Sequence, residues 1–120
     1  MTSASLTMLQ KANCPVWPWN KGGEVGLLVE AFPMAQLYRW NLPHEGYNGR
    51  GDHAFKVREK IISGILPLID LGEFQAALIE NADALDAVIC AFAPIAVNTG
   101  KIAVFPDKVA ILEGWIAIHA

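Results

Sequence analysis

The sequence predicts a mixed α/β domain, in which a few-stranded mixed sheet packs with helices. Three features carry that expectation. Residues 25–29, Val-Gly-Leu-Leu-Val, form an unalternating apolar run that ends at Glu30, the pattern of a strand covered on both faces. Over 52–66, Ala54, Val57, Ile61 and Ile65 recur at helical spacing with Lys56, Glu59 and Lys60 on the outside. Short apolar segments at 102–105 and 115–118 supply terminal strands.

Along the chain, residues 4–12 read as a short helix with Leu6, Leu9 and Met8 inward. Pro15 and Pro18 each lack a ladder donor, so 15–19 is an edge or a loop rather than a central strand. Asn20 to Gly23 is a turn. After the 25–29 strand, Pro33 suits the first turn of a helix, where its missing N–H would be unpaired anyway. Met34, Leu37, Tyr38 and Trp40 give that helix its apolar side. Residues 44–51 are a glycine-rich loop, and Pro67 ends the helix that follows it. Residues 73–79 form a short helix and 81–98 a longer apolar one closed by Thr99-Gly100. Pro94 is expected to kink or split that last helix, because it removes an i−4 hydrogen bond.

With 120 residues, no repeat and no long linker, a single domain over 1–120 is expected. A hydrophobic content of 53% against 18% charged is rich for so small a chain and points to a buried sheet, a partner interface, or both. The net charge of −3 and a pI near 5.5 exclude a global attraction to nucleic acid. The N-terminus carries no basic then apolar leader pattern, and the apolar stretches are interrupted by charge, Pro or Gly short of a membrane span. Cys14 and Cys90 form no CxxC or dense framework, which fits two free thiols in a reducing cytoplasm.

The chemistry-bearing candidates cluster in two places. Asp83 and Asp86 lie three apart, on one face of a helix among small side chains. Such a pair can hold Mg²⁺ or Mn²⁺ through oxygen ligands; taken alone, it is better accounted for by Asp83 as N-cap and Asp86 as the N3 acid. Glu30 stands at the end of the 25–29 strand, where ligands bind in open α/β sheets, or it pairs with Arg39 or Arg58. Arg39, Arg50, Lys56, Arg58 and Lys60 put five of the nine basic residues into 22 positions. That stretch is either a phosphate-facing patch or a solvated helix face interleaved with Asp52 and Glu59. His44, Asp52 and His53 match no metal-ligand spacing. Trp17 and Trp19 fit an interface better than a base-stacking platform.

Several of these segments together resemble a known family. Asp83-Ala84-Leu85-Asp86-Ala87 with its alanine-rich continuation looks like the last catalytic helix of RuvC-type Holliday-junction resolvases. Val29-Glu30-Ala31-Phe32-Pro33, the loop Leu42-Pro43-His44-Glu45-Gly46-Tyr47-Asn48-Gly49, the helix bearing Arg58, and Glu113-Gly114-Trp115-Ile116 are similar to segments of an uncharacterised family of predicted ribonuclease H-like nucleases, in the same order. The resemblance runs from about residue 25 to 118. It implies the C-terminal half of a ribonuclease H-like fold, Asp83, Asp86 and Glu30 as catalytic candidates, Asp83 and Asp86 as metal ligands, and His44, Tyr47 and Arg58 as substrate-binding candidates.

Two departures qualify what the resemblance implies. The family's loop lysine is Asn48 here. The family's fold opens with a three-stranded meander bearing an essential aspartate, with a further acid on the fourth strand, whereas residues 1–24 hold no aspartate and only Glu24 as an acid. The expectation is therefore a nuclease-like remnant that lacks the meander and serves as a non-catalytic homo-oligomeric module in the cytoplasm. The alternative is a metal-dependent nuclease acting on DNA or RNA through Asp83, Asp86 and Glu30, completed by a partner chain.

Overall fold

Pro33 opens the first described helix, α1 (Pro33–Arg39), as its position after an extended segment requires. The helix ends in a left-handed cap: Asn41 adopts φ 62°, and the Leu42 N–H reaches back to the Leu37 carbonyl at 2.9 Å while the Asn41 N–H bonds that of Tyr38 at 3.0 Å. This paired closure satisfies two carbonyls that would otherwise lack donors. Gly51, at φ 96°, then starts α2 (Asp52–Ile65). Its core face is the one the spacing predicted, with Ala54, Val57, Ile61 and Ile65 buried and Lys56, Glu59 and Lys60 exposed. A 3-10 turn at Gly72–Phe74 leads into α3 (Gln75–Glu80), and one residue later α4 (Ala82–Thr99) begins. Gly100, at φ 69°, closes α4, with the Lys101 N–H on the Ala96 carbonyl at 2.9 Å.

The computed structural model describes residues 15–19, 27–104 and 115–120. The helix expected over 4–12, the turn at 20–23 and the motif residues Glu113 and Gly114 lie outside the described residues. The chain divides into two compact units, one Pro33–Ala91 and the other drawn from Met1–Phe32 and Phe92–Ala120.

The expected mixed α/β architecture is not what the chain adopts. Helix accounts for 54% of the described residues, and no strand or sheet is found among them. Where strands were expected, at 25–29, 102–105 and 115–118, there are isolated bridges: Val16 with Leu28 and Glu30 with Ile116 in parallel sense, and Ile102 with His119 in antiparallel sense. The hydrogen bonds explain why none extends into a ladder. Leu28 exchanges bonds with Pro15 and Trp17 at 2.8 Å each, after which the chain turns through 17–19, where Pro18 offers no donor. Beyond Glu30 the chain enters α1 within three residues, and Ile102 follows immediately on the closure of α4. Residues 25, 26 and 105 of the expected strands lie outside the described residues. Leu28, expected to be covered on both sides, is 36% exposed.

In the Pro33–Ala91 unit the core is Leu37 of α1, Tyr47 of the loop, Val57, Ile61, Ile62 and Ile65 of α2, then Leu71, Leu78, Leu85 and Ile89. Each fully buried Leu or Ile contributes about 1.5–3 kcal/mol of transfer free energy. The other unit centres on Trp17, Ala93, Ala96, Ile102 and Ala117. α4 runs unbroken through Pro94, so the proline does not split it; Pro94 lies on the exposed side. By length and composition alone α4 reaches the threshold of a membrane-crossing helix, at mean hydropathy 1.4 over 18 residues, in spite of Asp83, Asp86 and Pro94. Within it Leu85, Ile89, Phe92, Ala93 and Ala96 are buried, 28% of the window.

Gly64, on the last turn of α2, marks a close approach: a Cβ there would collide with the methyl groups of Leu42. Gly64→Ala gains about 1 kcal/mol of helix propensity but forces Leu42 to repack, at about 1–3 kcal/mol. A net loss of about 1 kcal/mol is expected in urea unfolding, and a more stable variant would show that Leu42 is not wedged there.

Candidate functional site

Glycines position the loop after α1. Gly46 takes φ 77° and Gly51 φ 96°, conformations that cost an L side chain energy. Between them Tyr47 turns inward until it is 1% exposed, and its hydroxyl donates to Asp86 Oδ1 at 2.8 Å. Thirty-nine positions separate the two residues, so the bond ties the loop to the second turn of α4. Burial pushes the Tyr47 phenol well above its ordinary range, and the bond to Asp86 with that carboxylate's charge pushes it further. Burial also raises the Cys90 thiol, with the Asp86 charge one turn earlier adding to it. Cys90 is free and is held as an unreactive thiol by that environment.

Arg58 comes from the middle of α2 and is 1% exposed. Its Nε donates to the Ile79 carbonyl at 2.6 Å, and its Nη1 to the carbonyls of Tyr47 at 2.5 Å and Gly49 at 2.9 Å. Ile79 lies in the last turn of α3, whose carbonyls have no intrahelical donor, so the guanidinium caps that helix with the favourable sign of charge. The Arg58 guanidinium carbon also lies 5.0 Å from the centre of the Phe55 ring. A single cation thus joins α2, the loop that precedes it and the end of α3, which lies 21 residues further on.

α4 is capped by Asn81, whose Oδ1 accepts from the backbone N–H of Asp83 at 3.0 Å and of Ala84 at 3.1 Å. The N-cap expected at Asp83 therefore falls two residues earlier. The periodic pattern fixed the helix start only to within a residue or two, and Asn81 read as its first residue. Asp83 is left exposed and Asp86 half-buried on one side of the helix. Among the described residues, no three His, Cys, Asp or Glu side chains come together as a metal-holding group.

Between the loop, α2 and the α3–α4 junction lies a pocket of about 560 Å³, lined by Arg50, Phe55, Arg58, Glu80, Asn81 and Asp83 with neighbouring backbone. Glu80, Asn81 and Phe55 were not singled out by sequence; Glu80 and Asn81 are far from Arg50 and Arg58 along the chain, whereas Phe55 lies one turn before Arg58 on the same helix. The other candidates are placed as follows. Glu30 pairs with Ile116 in the second unit, whereas Asp83 and Asp86 belong to Pro33–Ala91. His44 is half-buried and meets the Tyr38 ring edge-on, with centroids 5.4 Å apart. Of the basic stretch, Arg39, Arg50, Lys56 and Lys60 are exposed and Arg58 is not. Trp17 is a core residue of its unit, and Trp19 is 40% exposed.

A family model described as "Protein of unknown function (DUF429)" matches residues 17–111, most of the chain. No curated protein and no solved structure matches it.

Proposed function

Because the chain belongs to the DUF429 family, and because its motifs resemble those of ribonuclease H-like nucleases, we propose that it is a non-catalytic, self-associating relative of those nucleases. The observation that carries this reading is the use to which two residues of those motifs are put. Arg58 is spent on three backbone carbonyls, and Asp86 accepts the Tyr47 hydroxyl. Both hold the loop 44–51 in place. Mg²⁺ demands near-octahedral oxygen ligands and surrenders its waters reluctantly, so two carboxylates on one helix face hold it weakly. Two-metal hydrolysis needs more acids, from several elements, to align the attacking water.

Self-association rests on apolar surface. The 66–74 segment exposes Leu66, Leu68 and Phe74, the last at 63%, in a chain that is 53% hydrophobic. Apolar side chains grouped in this way seek a partner surface.

The purified chain is expected to leave duplex, single-stranded and branched DNA and RNA intact with Mg²⁺ or Mn²⁺, and to scatter light as a dimer or larger species at micromolar concentration. Cleavage that vanishes in an Asp83→Asn, Asp86→Asn double variant would overturn the non-catalytic reading and restore a metal-dependent nuclease. A stable monomer would overturn the self-association.

A further inference from the structure

We propose that the pocket beside Arg58 binds a small zwitterion, a molecule carrying one carboxylate and one ammonium group, of the class of free α-amino acids and dipeptides. The inference does not rest on the nuclease kinship.

Its starting point is the unequal use of the Arg58 guanidinium. Nε and Nη1 are taken by carbonyls, while Nη2 donates to no described residue although the side chain is 1% exposed and lines the pocket. Among the described residues Nη2 is not one of the fully buried side-chain polar atoms left without a hydrogen-bond partner, so it still reaches solvent on the pocket side. A ligand carboxylate is the acceptor that best fits a guanidinium edge. The three carbonyl bonds and the Phe55 ring fix the plane of the guanidinium, so that edge is held ready for a ligand.

The rest of the lining decides against a simple anion. Arg50 adds a second cation, but Glu80 and Asp83 add two carboxylates, so the four charged side chains sum to zero. Arg50, Glu80 and Asp83 are all exposed, and among the described residues none of them pairs with another. Opposite charges therefore line one pocket without neutralising each other. Phosphate or sulfate drawn to Arg58 would meet two carboxylates at the rim. A zwitterion offers each sign of the lining a group of opposite charge. Asn81 supplements them: its Oδ1 is occupied by two backbone N–H groups, which leaves Nδ2 to donate. The volume of about 560 Å³ is in the range of small-molecule sites.

The test is isothermal titration calorimetry on the full chain with the common L-amino acids and a set of dipeptides, followed by the N-acetylated and the C-amidated forms of the tightest binder and by inorganic phosphate. Saturable binding by a zwitterion is expected, with roughly tenfold or greater weakening when either ligand charge is removed. Whether amino acids or dipeptides bind tighter identifies the source, and either result supports the site. Arg58 variants endanger the fold, so the protein arm uses exposed residues. Glu80→Gln with Asp83→Asn is expected to weaken the zwitterion at least tenfold and to leave the C-terminal half of the affinity pattern intact, with the N-acetylated form no longer disfavoured. Absence of binding by every zwitterion up to about 10 mM, equal binding of the N-acetylated form to the wild-type chain, or phosphate binding as tight as the zwitterion's would each overturn the proposal.

Discussion

Arg58→Met is expected to lower the unfolding free energy by about 4 kcal/mol, the largest single loss from a polar residue in the Pro33–Ala91 unit. Methionine keeps most of the stem's packing volume, so the loss isolates the guanidinium. Three carbonyls, of Ile79, Tyr47 and Gly49, lose their donor together. The Tyr47 acceptor is buried, and leaving it unsatisfied costs about 1–3 kcal/mol; the part-buried acceptors of Ile79 and Gly49 cost less each, and the end of α3 loses its cap. Arg58→Lys does not repair this, because an ammonium is a point donor on a flexible stem and cannot span carbonyls that approach from different elements; a loss of about 2–3 kcal/mol is expected there. Urea unfolding followed by circular dichroism reads both, provided the slope with denaturant is unchanged. If Arg58→Met unfolds within about 1 kcal/mol of wild type, the guanidinium is not the tie between α2, the loop and α3.

The pair Tyr47→Ala and Tyr47→Phe separates packing from hydrogen bonding at the second tie. Tyr47→Ala empties a site that is 1% exposed and is expected to cost about 3–5 kcal/mol. Tyr47→Phe keeps the ring and loses only the bond to Asp86, at about 1–2 kcal/mol. The phenol also makes stability depend on alkaline pH. In the unfolded chain it ionises near the ordinary value of about 10; in the folded chain burial, and then the bond to Asp86, keep it protonated to higher pH. The stabilisation is therefore complete below about pH 10 and drains away as pH rises from there towards the folded value. The difference in unfolding free energy between wild type and Tyr47→Phe should shrink above about pH 10. A difference that stays constant from pH 8 to pH 11 would show that Tyr47 ionises alike in both states.

The helices were legible in the sequence because local pattern dictates them. The face of α2 followed from Ala54, Val57, Ile61 and Ile65 alone, Pro33 marked a helix start, and Thr99-Gly100 marked a helix end. The strands were not legible, since an apolar run such as 25–29 carries no information about partners. Pairing is non-local, and here the turn at 17–19 and the early start of α1 cut it to single bridges.

The candidate site divides in the same way. Sequence alone determined that Asp83 and Asp86 share a helix face, that 44–51 is a glycine-shaped loop, and that Arg58 lies on α2. Only the tertiary structure decided what those groups do. Residues 47 and 86 meet because Tyr47 is drawn into the core, where its hydroxyl must find an acceptor. Arg58 faces inward on a helix whose other basic residues face out, and its burial is offset by carbonyls of the loop and of α3 that no spacing along the chain could indicate. Side-chain periodicity reports which face a residue occupies; the partner it finds there depends on elements folded against it from elsewhere in the chain.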